Sequence, residues 1–327
     1  MAGRTDQDDD PNEAGAFGTL QHQILERFYR EAQAEGQLPP RSWEEIDDLL
    51  LNLARMGRET IRTYTVTSHE QLWSLDLDFV VDVLGRFVRR DLERMYAAHA
   101  SPDSLTVRTQ LKALEARLPR SQGVDMEHDG IRFRLYGSID RVEEIADPRL
   151  SAALQGWLVL RDYKSSREDP SRLHINRFTE GKSIQLPLYA VMSEKRWGQR
   201  VYSLGEFKIS LGGDPEELSA GWLMPGDGGG VILKRHPKAD RRRDAPEEKK
   251  NLIVAAQTAA LRVATERIRQ IRSGHFDPPA HRHCWGCHLG DVCRASRYDS
   301  PERGRERAKM PLTISLEEWA QAGGGGA

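Results

Sequence analysis

Hydrophobic and polar residues change their spacing along the chain, and each change marks a new kind of element. Near Phe17 a helical pattern begins, with Leu20, Ile24, Leu25 and Phe28 on one apolar stripe. The helical period continues from 41 to 118, through WEEIDDLLLNLARMGRETI and LDFVVDVLGRFVRRDLERMY, with a break at Ser101 and Pro102. The period then shortens. FRLYGSIDRVEEI (133–145) and GWLVLRDYKSS (156–166) are rich in β-formers and separated by the turn residues Asp147, Pro148 and Gly156, which predicts two strands paired antiparallel. A helix over 184–197, strands near 200–210, 219–224 and 231–235, and a long helix from about 247 to 273 ended by Gly274 complete the pattern. The expected architecture is α/β, a central mixed β-sheet flanked by helices, with residues 41–118 as a large helical insertion.

The two ends read differently from the body. Residues 1–15 are acidic, lack an apolar period and are expected to be disordered. Residues 299–327 form a charged, flexible tail ending in GGGGA, with one short amphipathic piece, ISLEEWAQA. Between them, 16–298 is expected to be one domain. Of 327 residues, 48 are Lys or Arg and 50 are Asp or Glu, a net charge of -2. That balance hides an asymmetry, because residues 1–60 carry 13 acidic and 6 basic side chains, leaving a basic body. Its densest cluster, Lys234, Arg235, Lys238, Arg241, Arg242 and Arg243, is a candidate phosphate-contact surface or a solvated hairpin tip. No apolar run approaches the roughly 18 residues of a membrane span, and the N-terminus lacks the apolar core of a signal peptide. A cytoplasmic protein is expected.

Candidate chemistry gathers around a few positions. Asp162 and Lys164, two apart in a strand, share a face, and Asp140 lies on the preceding strand. Two carboxylates on adjacent strands make an oxygen-rich site of the kind Mg²⁺ or Mn²⁺ prefers, beside a lysine able to orient a water and stabilise charge on a phosphate. An isolated D-x-K is usually a surface ion pair. His22 in GTLQH falls about 60° beyond the Leu25 edge of its helical stripe, off the core face. In SIQLPLYAVM, Gln185 and Tyr189 are four apart and share a helix face, and Pro187 places the helix start near Gln185. Cys284, Cys287 and Cys293, the chain's three cysteines, have the spacing C-x2-C-x5-C. Zinc with His281, His283 or His288 as fourth ligand and an iron–sulfur cluster are the competing readings. GKS at 181–183 is not a P-loop, since the position expected to be glycine is Asn176.

In this order, G-x3-H, GSIDRVE, RDYKSS, QLPLYA and C-x2-C-x5-C, the motifs resemble the RecB-like branch of the PD-(D/E)XK nuclease superfamily, most of all the C-terminal nuclease domain of AddB-type helicase–nuclease subunits. The resemblance covers roughly 15–298 and implies a restriction-endonuclease-like core. It implies that His22, Asp140, Asp162 and the main-chain carbonyl of Tyr163 bind Mg²⁺ or Mn²⁺, that Lys164 is the catalytic lysine, and that Gln185 and Tyr189 are the motif that follows it. Glu115, in LEARLP, matches weakly a glutamate such domains often carry one strand earlier. The implied activity is metal-dependent DNA cleavage, as an exonuclease in double-strand-break repair or recombination, with a helicase as partner subunit or as a further part of the same polypeptide. A CRISPR-associated RecB-like exonuclease and a non-catalytic DNA-end-binding scaffold are the alternatives. In the family a [4Fe-4S] cluster takes a fourth cysteine upstream of the histidine motif; here 21 residues precede His22 and none is Cys. The expectation is a fragment that has lost its start; a substituting histidine and a site that holds zinc or nothing are the competing explanations.

Overall fold

The structure, a computed structural model, describes residues 11–64, 70–102, 104, 106–150, 152–164, 184–209, 219–225, 231–234 and 252–274. The three cysteines, the basic residues 235–243, the tail from 299 and the onset of the last helix at 247 lie outside the described residues, as does the acidic segment up to residue 10.

Three helices precede the sheet: α1 (Pro11–Ala34), α2 (Trp43–Tyr64) and α3 (Glu70–Ala100). Helix α1 starts six residues before Phe17, so residues 11–15 are helical rather than part of a disordered segment; Pro11 is tolerated at a helix start, where its missing N–H has no intrahelical partner to lose. Ser42 caps α2, its hydroxyl accepting the Glu45 N–H at 3.2 Å. Gly57 lets α2 approach α3, because a Cβ there would lie 3.1 Å from Val81 Cγ2.

The expected helical insertion ends earlier than its pattern implied. Residues 109–118 form strand β1 (Thr109–Leu118). TQLKALEARL is full of helix formers, but pairing with a neighbouring strand outweighs local propensity. The segment 133–145 likewise divides into β3 (Ile131–Leu135), which pairs with β2 (Val124–His128), and β4 (Gly137–Ile145), which pairs with β1 and β5. Asp129 and Gly130 both have positive φ, 48° and 70°, the backbone a tight two-residue hairpin turn requires.

After β5 (Leu158–Lys164) come α4 (Gln185–Trp197), β6 (Val201–Lys208), β7 (Ser219–Pro225), β8 (Val231–Lys234) and α5 (Leu252–Arg272). The six-stranded sheet has the order β1-β4-β5-β6-β7-β8. β4 and β5 pair antiparallel as expected, whereas β5 and β6 are parallel, with α4 between them in sequence as the crossover such a pair needs. The mixed sheet flanked by helices is therefore observed. None of the described helices is long and apolar enough to cross a membrane.

The two-residue period of β5 explains the layering. Leu158 and Leu160 join the core formed with Leu186 and Ala190 of α4 and Ala256 and Ala259 of α5. On the alternate positions, Tyr163 joins Phe207 of β6 in the core built by Leu25, Phe28, Leu84 and Phe87 of α1 and α3. Asp162 and Lys164 continue the Leu158–Leu160 face to the end of the strand, beside the start of α4.

That helical layer also covers charge. Arg141 and Glu143 of β4, Arg161 of β5 and Asp91 of α3 are all buried. Arg141 donates to Asp91 at 2.6 Å and pairs with Glu143 at 2.5 Å; Arg161 donates to the other Glu143 oxygen at 2.9 Å. Arg94 donates to Asp91 at 2.8 Å, and the Tyr29 hydroxyl donates to the same carboxylate at 2.7 Å. The Arg141 guanidinium also lies 4.4 Å from the centroid of the Tyr29 ring.

Candidate active site

Four elements converge at one end of β4 and β5. The register Leu114↔Arg141 and Ala116↔Ile139 sets Glu115 of β1 opposite Asp140 of β4. The register Arg141↔Arg161 carries on to set Asp140 beside Asp162 of β5. Helix α1 brings His22 over this row, its ring edge-on to Tyr163 at 5.7 Å.

His22 Nδ1 lies 2.9 Å from Glu115 Oε1 and 3.6 Å from Asp140 Oδ1. One donor atom from each of these three residues falls within 4.8 Å of the others, a set able to hold a metal ion. The second Glu115 oxygen accepts the Ser138 hydroxyl at 3.1 Å, and the Tyr163 N–H donates to Asp140 Oδ2 at 2.6 Å. Glu115 holds φ at 42°, in the left-handed region that non-glycine residues rarely adopt. Its carboxylate contacts, to His22 and Ser138, are made from that backbone position.

A second, linked cluster surrounds Asp162. Lys164 Nζ lies 2.5 Å from Asp162 Oδ2, and the Gln185 amide donates to Asp162 Oδ1 at 3.0 Å. Lys164 also donates to the Gln185 carbonyl oxygen at 3.1 Å, and the Gln185 amide contacts the Tyr189 hydroxyl at 3.0 Å. Pro187 does sit in the first turn of α4, which leaves Gln185 as the first helical residue and turns its side chain back to β5.

Electrostatics follow from this crowding of carboxylates. Burial, followed by the charge of Asp162, pushes the Asp140 carboxyl up to about 7, against the opposing pull of His22 and the Tyr163 N–H. For His22, burial works against the charged ring, but the Glu115 hydrogen bond and the surrounding carboxylates outweigh it and raise the pKa. Glu115 goes the other way: burial opposes ionisation, and the hydrogen bond and charge of His22, then Ser138, hold it below the usual carboxylate range. Burial raises the Tyr189 hydroxyl. Like charges pressed together without a cation between them are costly, and a divalent cation relieves that cost.

A test of this balance follows. A carboxyl whose folded-state pKa is raised costs stability above that pKa, and the cost fades as pH falls toward the unfolded-state value. Asp140→Asn should therefore stabilise metal-free protein at pH 8 by ~1–2 kcal/mol, a few degrees in melting temperature. The gain should shrink as pH drops from about 7 toward the ordinary carboxylate range near ~4. Thermal unfolding in EDTA across that window checks it; a variant less stable than wild type at pH 8 refutes it.

The structure thus brings together His22, Asp140, Asp162, Lys164, Gln185 and Tyr189, drawn from across the chain. It promotes Glu115, weakly matched by sequence, to a direct partner of His22. It adds Ser138, for which the only sequence signal is its place two residues before Asp140 on a strand. Lys234 ends β8, its backbone paired with Trp222, and the rest of that basic cluster lies outside the described residues. Against known families, the model of the PD-(D/E)XK nuclease superfamily matches residues 2–294. No curated protein matches the chain.

Proposed function

The chain belongs to the PD-(D/E)XK nuclease superfamily, and from that premise we propose that it is a DNA exonuclease dependent on Mg²⁺ or Mn²⁺. It acts on strand ends during double-strand-break repair or recombination, alongside a helicase supplied by a partner subunit or by further sequence of the same polypeptide. The observation that carries the reading is the placement of Asp140, Asp162 and Lys164 on neighbouring strands with His22 across them and Gln185 joined to both Asp162 and Lys164.

The donor set fits a hard divalent cation: carboxylates and one imidazole, crowded enough that Asp140 resists ionisation when no cation is present. His22 and Asp140, two of the three residues whose donor atoms lie within 4.8 Å of one another, would hold it together with Asp162 and the Tyr163 carbonyl on the adjoining strand, and Glu115, the third, would either join them or fix His22. When bound, the cation supplies charge that neutralises phosphate oxygens and makes a bound water a better nucleophile. Lys164, one residue from Tyr163 and paired with Asp162, orients the attacking water and stabilises negative charge growing on the phosphate. Gln185 sets the direction of the Lys164 side chain through its carbonyl oxygen while its amide holds Asp162. Tyr189 in turn steadies Gln185.

End-labelled linear single-stranded DNA incubated with purified protein tests the reading. Progressive loss of the strand in Mg²⁺, abolished by EDTA, is the expected result. Binding with no EDTA-sensitive degradation points instead to a DNA-end scaffold.

A further inference from the structure

The active-site end of the sheet carries an exposed aromatic ring that the chemistry above does not use. Tyr136, between β3 and β4, is 58 % exposed, whereas the other tyrosines around the site, Tyr163 and Tyr189, are packed against the fold. Its chain neighbour Gly137 faces Tyr189, since a Cβ built there would lie 3.7 Å from Tyr189 Cε1. The next residue, Ser138, holds Glu115. Tyr136 is therefore two residues from the metal-side hydrogen-bond network and directly attached to the wall of the Gln185–Tyr189 cluster.

A cation stands alongside. Arg117 of β1 is exposed, and its Cα is paired with that of Ser138. It lies two residues past Glu115, close enough for its charge to act on that carboxylate. Arg134, the nearest basic residue on β3, is already held by Asp125 through two hydrogen bonds of 2.6 and 2.8 Å. Arg117 has no such ion pair among the described residues. Arg120, also exposed, follows three positions later, so positive charge extends outward from the site past Tyr136.

We propose that Tyr136 and Arg117 form the entry contact for an unpaired DNA strand, the ring stacking on a base and the guanidinium holding the adjoining phosphate. The identity of the ligand rests on the nuclease reading above. An aromatic face in solvent can be covered by a base only when that base is free of its own stacked and paired neighbours, so this contact favours single strands over duplex. The guanidinium adds salt-dependent attraction that does not depend on sequence.

Fluorescence anisotropy with a labelled single strand and a labelled blunt hairpin duplex tests this, with Ca²⁺ in place of Mg²⁺ and strand integrity checked after each titration. Tyr136→Ala should weaken single-strand binding about tenfold and duplex binding less than about twofold, while Tyr136→Phe restores the wild-type value. Arg117→Gln should weaken binding and reduce the salt dependence by about one phosphate contact. Equal losses for both DNA forms, an unchanged Tyr136→Ala, failure of Tyr136→Phe to restore, or no strand binding by wild type overturns the proposal. Cleavage in Mg²⁺ is scored separately. A wild type that binds strands through Tyr136 but does not cut leaves this contact standing and removes the nuclease reading; one that cuts while Tyr136→Ala binds normally does the reverse.

Discussion

Asp162→Ala is expected to abolish the proposed metal-dependent DNA degradation, by about a thousandfold or more, while DNA binding persists. Two losses combine in that one side chain. Its carboxylate is a proposed metal ligand, and both its oxygens are engaged, one by Lys164 at 2.5 Å and the other by Gln185 at 3.0 Å. Without it the Lys164 ammonium loses its closest partner and the amide that orients it is released as well. Binding should survive because the strand contacts proposed above, Tyr136 and Arg117, are separate from the Asp162 cluster, of which only Asp162 itself is buried. Initial rates across a Mg²⁺ titration, paired with anisotropy on the same variant, check both halves. Cleavage by Asp162→Ala that remains sensitive to EDTA refutes the assignment.

Glu143→Ala produces the largest loss of stability expected for a single change outside the apolar core. Its carboxylate is 1 % exposed and lies 2.5 Å from Arg141, 2.9 Å from Arg161 and 3.5 Å from Arg94, and it accepts the Thr109 hydroxyl at 2.7 Å. Burial alone would raise its pKa, but the Arg141 and Arg161 guanidinium groups outweigh burial and lower it. Two buried guanidinium groups, Arg141 and Arg161, and the part-buried Arg94 then face two carboxylates, and removing one of the two strands charge in a low-dielectric layer. Breaking such a pair costs about 3–5 kcal/mol, a drop of ~10 °C in melting temperature for a domain of this size. Glu143→Gln, which keeps the shape and loses the charge, should fall between the two. Calorimetry at neutral pH checks it; a cost below ~1 kcal/mol means that water or local rearrangement has taken over the role of the carboxylate. Since Arg141 adjoins Asp140 and Arg161 adjoins Asp162, the same network anchors the reverse side of both proposed metal-binding strands.

The parts of the site that could be read from sequence are those encoded locally. D-x-K needs only the strand period, and Gln185 with Tyr189 needs only the helix period plus a proline marking the first turn. The antiparallel pairing of β4 and β5 follows from two short strands joined by a turn region. What escaped is what pairing decides. LKALEARL carries a good helical pattern and became β1 because β4 offered an open edge, so Glu115 could be matched only by analogy. The single strand expected over 133–145 is two, since β3 and β4 have different partners, and nothing in FRLYG announces which. Asp91, Arg141 and Glu143 carry no local sign of burial. It depends on α3 meeting β4 across 50 positions of sequence, as in the Asp91–Arg141 contact, which no local window contains.

The contact between His22 and Glu115 joins residues 93 apart, whereas Asp140 meets the Tyr163 N–H across only 23. Helix α1 shares a core with α2 and α3 as well as resting on β1, so the packing of the whole helical layer sets where the imidazole stands. The longer loop is the costlier of the two to close. Completeness of the proposed metal-binding group is then a property of the docked α1–β1 pair: any opening that lifts α1 from the sheet separates His22 from Glu115 and Asp140 while leaving Asp140 beside the Tyr163 N–H.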